Sequence, residues 1–159
     1  MKVISAALIE ELVARAGTQT RRRTNHNVHE TPADPIQRMF VAAKRDSYFR
    51  PHRHPTKWEF AIVICGRFDV LTFADDGRVT ERLALGIGAP AVAFEMPANT
   101  WHSWLPLTDD AVFLEVKAGP YDPATAAEFA PWSPAEGGPA ATAFAERLRR
   151  AQVSDDLTR

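Results

Sequence analysis

Residues 51–59 read Pro51-His52-Arg53-His54-Pro55-Thr56-Lys57-Trp58-Glu59. On a strand, residues i and i+2 share a face, so the imidazoles of His52 and His54 can address one point. Pro55 lets the chain turn, and a strand beginning near Glu59 can carry that carboxylate back to the same place. Gly66 falls where a second turn is needed. Far downstream, Pro97-Ala98-Asn99-Thr100-Trp101-His102 supplies one more histidine just past a turn. Three neutral imidazoles and one carboxylate suit a divalent transition metal. Held by four side chains, a six-coordinate ion keeps two positions for water, substrate or dioxygen. A lone histidine is more often a surface or hydrogen-bonded core residue than a ligand. The full pattern, set between strand-like runs, resists that explanation, and the expected metal ligands are His52, His54, Glu59 and His102.

The surroundings are short runs of strand character: 36–42, 47–52, 58–65, 67–73, 79–85, 91–96, 101–106 and 111–117. Cys65-Gly66, Asp75-Asp76-Gly77, Gly86 to Pro90 and Pro97 to Asn99 punctuate them. Many short strands at this spacing argue for an all-β sandwich or barrel rather than βαβ units. Ahead of them, residues 5–16 read as a helix: Leu8, Ile9, Leu12 and Val13 recur at helical spacing, Ser5 can cap the start and Gly17 can end it. The polar, basic stretch 18–31 has too few apolar residues to form core and reads as a solvated loop. Residues 119–139 hold too many prolines and glycines for regular structure. Phe129 and Trp132 suggest that this segment packs on the barrel, and a helix over 140–152 could end the chain. The expected division is an N-terminal helix and polar arm over 1–34, a barrel over 35–118, and a C-terminal segment over 119–159.

At this point the sequence resembles a family. His52-x-His54-x4-Glu59-x6-Gly66 matches the body of the first motif of the cupin superfamily, and Pro97-x4-His102 matches the heart of the second. The resemblance implies a double-stranded β-helix, a jelly-roll barrel, in which those four side chains hold one metal. Asp46, Ala91 and Asn99 stand where the motifs usually have glycine, and Pro106 where the second usually closes with asparagine. None of these is a ligand, and asparagine tolerates a left-handed backbone. The runs RRRTNHNVH (21–29), YFRPHRH (48–54), EVKAGPYDP (115–123) and FAPWSPAEG (129–137) further resemble the WbuC-type cupin metalloproteins. That resemblance implies encoding among bacterial surface-polysaccharide genes and leaves the reaction open.

Candidate residues beyond the ligands follow from position. On the last barrel strand Phe113, Glu115 and Lys117 share one face, and Glu115 and Lys117 can either line the pocket or pair on the surface. Trp104 lies on the same face as His102 and can form an apolar wall, a sugar platform or plain core. Arg38, Arg50, Arg53 and Arg67 are the cations expected near the barrel, any of which could bind carboxylate or phosphate with its planar fork. The WbuC resemblance singles out Asn27, His29 and Arg38 as recurring positions. An arm folded over the barrel mouth would make His29 a candidate general acid or base. Asn27, Arg38, Arg50 and Trp104 are thus substrate-binding candidates, and His29, Glu115 and Lys117 catalytic ones. Cys65, in an apolar run, reads as a small core residue.

Composition narrows the partners. In 159 residues, Lys plus Arg number 19 against 20 for Asp plus Glu, a formal charge of -1, so general attraction to nucleic acid or anionic membrane is not expected. The longest runs without a formal charge are Leu83 to Phe94 and Met96 to Thr108. Both are broken by glycine or proline and fall short of a membrane span. Glu10 and Glu11 interrupt the N-terminal segment where a signal peptide needs an apolar run, and the single cysteine fits a reducing compartment. A cytoplasmic protein is expected, with a homodimer by analogy to cupin barrels. The expected function is a small-molecule metalloenzyme using iron, manganese, zinc or nickel. It would be of oxygenase or Lewis-acid isomerase or hydrolase type, acting on a sugar or carboxylate and linked to surface-polysaccharide or sugar metabolism. The alternative is a non-catalytic ligand-binding or structural module. A metal-free sugar-nucleotide epimerase is weaker, since it would leave the three histidines and the glutamate unused.

Overall fold

The structure, a computed structural model, describes residues 1–158. Ten strands follow one helix and precede another: α1 (Ala6–Thr18), β1 (Arg23–Asn27), β2 (Ile36–Ala43), β3 (His52–Arg53), β4 (Glu59–Cys65), β5 (Arg67–Phe73), β6 (Val79–Gly86), β7 (Ala93–Met96), β8 (Trp101–Pro106), β9 (Ala111–Ala118), β10 (Glu128–Phe129) and α2 (Ala141–Arg150). They form two five-stranded antiparallel sheets, ordered β1-β2-β9-β4-β7 and β10-β3-β8-β5-β6. Successive strands β4 and β5 lie in opposite sheets, as do β7 and β8 and then β8 and β9. That alternation closes a jelly-roll barrel, the fold that the cupin resemblance implies.

Alternation along the strands decides what lies inside. Phe68 and Val70 of β5, Trp104 of β8 and Phe113 of β9 meet between the sheets with Val41, Phe49 and Val63. The opposite faces of both sheets are covered by the helices. Leu12 and Ala16 of α1 pack on Phe40, Ala42 and Val112 of the first sheet. Phe144 and Leu148 of α2 pack on Leu71, Phe73, Val79 and Leu105 of the second. Ser5 accepts a hydrogen bond from the Leu8 amide at 3.2 Å and starts α1 as its cap. Burying a leucine such as Leu12 or Leu148 contributes roughly 1.5–3 kcal/mol.

Three departures from the sequence reading have local causes. Residues 23–27, expected as loop, form an edge strand whose Asn25 lies opposite Val41. It hydrogen-bonds through its backbone, which needs no apolar side chains. The run expected over 47–52 pairs only at His52–Arg53. Side chains take its carbonyls instead: Arg23 donates to the Tyr48 oxygen at 2.8 Å and Ser103 to the Phe49 oxygen at 2.6 Å, while Pro51 has no N–H to give. Within the proline-rich segment, Glu128–Phe129 adds a two-residue strand beside β3.

Candidate metal centre

Each sheet brings part of the site. His52 of β3 lies directly opposite His102 of β8, and their ring centroids stand 4.4 Å apart. His54, just past β3, is fixed when its carbonyl accepts the Asn99 amide at 2.8 Å. Asn99 itself has φ 66°, the left-handed turn that feeds β8. Glu59 opens β4 in the other sheet, in register with Lys117 of β9 and Met96 of β7. The barrel therefore brings three imidazoles and one carboxylate together across its interior.

The three rings are held in one protonation pattern. Nδ1 of His52 lies 2.9 Å from the Arg50 carbonyl, Nδ1 of His102 2.9 Å from that of Thr100, and Nδ1 of His54 2.5 Å from that of Ala126. A carbonyl only accepts, so each Nδ1 donates its hydrogen and each Nε2 of a neutral ring keeps a free lone pair. One ligand nitrogen from each ring lies within 4.8 Å of the other two. Glu59 Oε2 is 3.1 Å from His54 Nε2, and Oε1 is 3.3 Å from His102 Nε2. Even so, Glu59 Oε1 and His102 Nε2 are buried without a hydrogen-bond partner among the described residues. Buried polar atoms are rarely left so, and a cation between these two satisfies both. The residues fit the divalent ion their chemistry implies.

Electrostatics agree. Burial, and then the neighbouring rings of His102 and His54, pushes His52 well below the ordinary imidazole value, so it stays neutral. Burial alone would raise the Glu59 carboxyl. Positive charge at the His102 and His54 ring nitrogens, and that of the Lys117 ammonium, outweighs it and holds the group well below the usual carboxylate range, so this carboxylate is matched to a cation at those nitrogens.

Beside the centre lies a cavity of about 310 Å³, walled by Met39, Val41, Phe49 and Phe113, with Glu115 and Lys117 facing it next to Glu59. Of the two alternatives for Glu115 and Lys117, they line the cavity, and they pair with each other there, largely buried, rather than on the surface. Trp104 borders the cavity but is 2% exposed and stacks flat on Phe113 at 3.9 Å, so it is core and offers no free face for a sugar. Arg50 is a cavity residue whose guanidinium is bound to Ser133 and the Ala130 carbonyl and lies over the Phe129 ring. Asn27, His29 and Arg38 are not among the lining residues. His29 is buried against the Arg38 backbone, Asn27 bonds Asn25, and Arg38 pairs with Asp34. Sequence reasoning missed the Ala126 carbonyl, from a segment far along the chain, and Glu136, which binds Arg21 and Arg23 at the mouth; Phe129, expected only to pack that segment on the barrel, also lines the cavity. A larger groove of about 590 Å³ runs between the arm and α2, but its Arg21, Arg22 and Arg23 are already paired with Glu136 and Asp46.

A family model described as "Domain of unknown function (DUF6016)" matches residues 4–85. No curated protein sequence matches the chain. Among solved structures, the capsular polysaccharide assembling protein CapF from Staphylococcus aureus superimposes with a TM-score of 0.56 at 19% identity, over 70% of this chain and 30% of that one. Oxalate decarboxylase from Bacillus subtilis gives 0.52 at 22% identity, over 67% and 27%. Protein SO0799 from Shewanella oneidensis gives 0.56 at 9% identity, over 80% and 85%. The chain thus spans under a third of the first two proteins and most of the third. At these identities the likeness is one of fold, the jelly-roll barrel. Among the described residues, no helix is long and apolar enough to cross a membrane.

Proposed function

The chain belongs to the family described as a domain of unknown function, DUF6016, and from the chemistry of its site we propose that it is a metal-binding cupin of the WbuC type that acts on a small molecule. His52, His54, Glu59 and His102 would hold the ion. One observation carries the reading: three imidazoles with their Nδ1 atoms engaged converge on a buried carboxylate, and Glu59 Oε1 and His102 Nε2 have no other partner. When bound, a divalent ion supplies Lewis acidity, and iron(II) supplies an affinity for dioxygen as well.

The chain's own residues define what enters. Met39, Val41, Phe49 and Phe113 seat a carbon skeleton and keep water from one side of it. Glu115 and Lys117 face the same space as a paired acceptor and donor, and Arg21 and Arg23 at the mouth share Glu136 as a single counter-charge, which leaves one positive charge in excess there. These features favour a small carboxylate or sugar acid, and an oxygenase or a Lewis-acid isomerase or hydrolase as the reaction class. The WbuC resemblance adds a link to bacterial surface polysaccharide. On this reading the chain divides into arm, barrel and C-terminal segment at 34 and 118 and works in the cytoplasm as a homodimer with no nucleic-acid partner. An open sheet edge such as β7 could pair such a dimer.

Elemental analysis of untagged protein, purified without chelator, tests the centre. Wild type is expected to carry about one iron, manganese, zinc or nickel per chain, and His52→Ala and Glu59→Ala to lose it while keeping their circular dichroism. Equal metal in all three proteins would remove the assigned ligands. Saturable binding of a carboxylate without turnover would leave the non-catalytic module.

A further inference from the structure

Glu115 points inward from β9, on the face it shares with Phe113 and Lys117, and is 8% exposed. The register sets it opposite Ala61 of β4 and sets Lys117 opposite Glu59, so both acids and the lysine occupy one patch of two adjacent strands. One ligand oxygen of Glu115, one of Glu59 and a ring nitrogen of His54 lie within 4.8 Å of one another. Glu115 Oε1 sits against the Lys117 ammonium, yet it is buried with no hydrogen-bond partner of proper geometry. Around an ion with bonds of about 2.1 Å, adjacent donors stand about 3 Å apart and opposite ones about 4.2 Å. The separations of the His54, Glu59 and Glu115 donors exceed the wider of these spacings by no more than about 0.6 Å. Two buried carboxylates with a single ammonium between them also leave surplus negative charge, which a divalent ion would neutralise.

We propose that Glu115 is a fifth, exchangeable protein ligand of the centre. It takes one of the two positions that His52, His54, Glu59 and His102 leave open, and it moves onto Lys117 when an incoming ligand claims that position. Lys117 keeps the displaced carboxylate compensated inside the barrel, so displacement strands no buried charge. The device favours ligands with two donor atoms, since only these need both open positions. The inference rests on the metal-centre reading above, and it separates from that reading experimentally.

The test loads wild type, Glu115→Gln, Glu115→Ala and His52→Ala with manganese(II) alone. Water-proton relaxation then counts the exchangeable waters on the ion, and manganese(II) titration gives Kd. Wild type is expected to show one water. Both Glu115 variants are expected to show two, with the bound-water relaxation roughly doubled and Kd weakened about tenfold or more. Two waters already present in wild type, or weaker binding in the variants without an added water, would overturn the role of Glu115 while the centre stands. Wild type that binds no more manganese(II) than His52→Ala would overturn the metal centre itself.

Discussion

Glu136 shows how one side chain can govern a region when the charges around it are partly buried. Its carboxylate accepts from Arg21 Nε at 2.5 Å and from an Arg23 terminal nitrogen at 2.5 Å. Burial pushes the Glu136 carboxyl up, and the two guanidiniums more than reverse it, so the group lies below the usual range. The two arginines differ in environment. The Arg23 side chain is 11% exposed and that of Arg21 62%. Arg23 also donates to the Tyr48 carbonyl and lies over the Phe49 ring at 4.3 Å. Removing a partner from a buried pair leaves an uncompensated charge, whereas an exposed pair is screened. Glu136→Ala should therefore lower stability by about 2–4 kcal/mol, and Arg21→Ala by under about 1 kcal/mol. Urea midpoints of the two variants decide this, and equal losses would refute the distinction. His29 makes a related point about single residues. The WbuC resemblance singled it out, but the fold engages it with the Arg38 backbone and keeps it off the cavity wall.

At the scale of elements, the turn at Gly66 carries the chain from β4 in one sheet to β5 in the other. Its φ is 69°, and an added Cβ would stand 2.5 Å from Thr108 Oγ1 and 2.6 Å from the Ala111 Cα. Backbone and side chain both crowd the position, so Gly66→Ala should cost about 2–3 kcal/mol or more, read as a lower urea midpoint. Gly88→Ala makes the control: it shares a positive φ of 79° but meets nothing within 4 Å, and should lose less. A near-neutral Gly66→Ala would show that the turn relaxes. Two of the turns were readable in advance, because Gly66 and Asn99 are residue types that accept a left-handed backbone. The His52–His54 pair was readable as well, since strand alternation alone puts i and i+2 on one side. What could not be read were elements held by backbone and by distant partners. The edge strand 23–27 has no apolar signature, and the irregular 48–51 stretch is stabilised by Arg23 and Ser103, which lie outside it. The hold on His54 comes from a carbonyl, which every residue has, so no sequence pattern marks Ala126.

For the whole molecule, the buried centre predicts how stability depends on pH. His52 sits well below the ordinary imidazole value in the folded chain, through burial and then its neighbours His102 and His54. The unfolded chain therefore binds a proton near pH 6.5 that the folded chain refuses, so stability is complete above that pH and falls as pH drops below it. The carboxyls of Glu59 and Glu136 are both held low in the fold. Their contribution is present above the unfolded value of about 4.3 and is lost as pH falls through the folded values. Both effects destabilise on the acid side but begin at different points. Chelator-stripped protein should thus lose stability in two stages. The first begins below about pH 6.5 with a limiting slope of about 1.4 kcal/mol per pH unit for one proton. The second steepens the fall below about pH 4.5. His52→Asn, which cannot take the proton, should flatten the first stage and leave the second. Divalent metal at saturating concentration should raise stability above pH 6.5 and steepen the decline below it, because protons and metal compete for the same nitrogens. Urea denaturation from pH 8 to pH 3, with and without manganese(II), gives all four curves. A wild-type profile that is flat between pH 7 and pH 5 would mean that the folded barrel accepts a proton on His52 as readily as the unfolded chain does. In that event the neutral, lone-pair-presenting state of the ring would not be imposed by the fold.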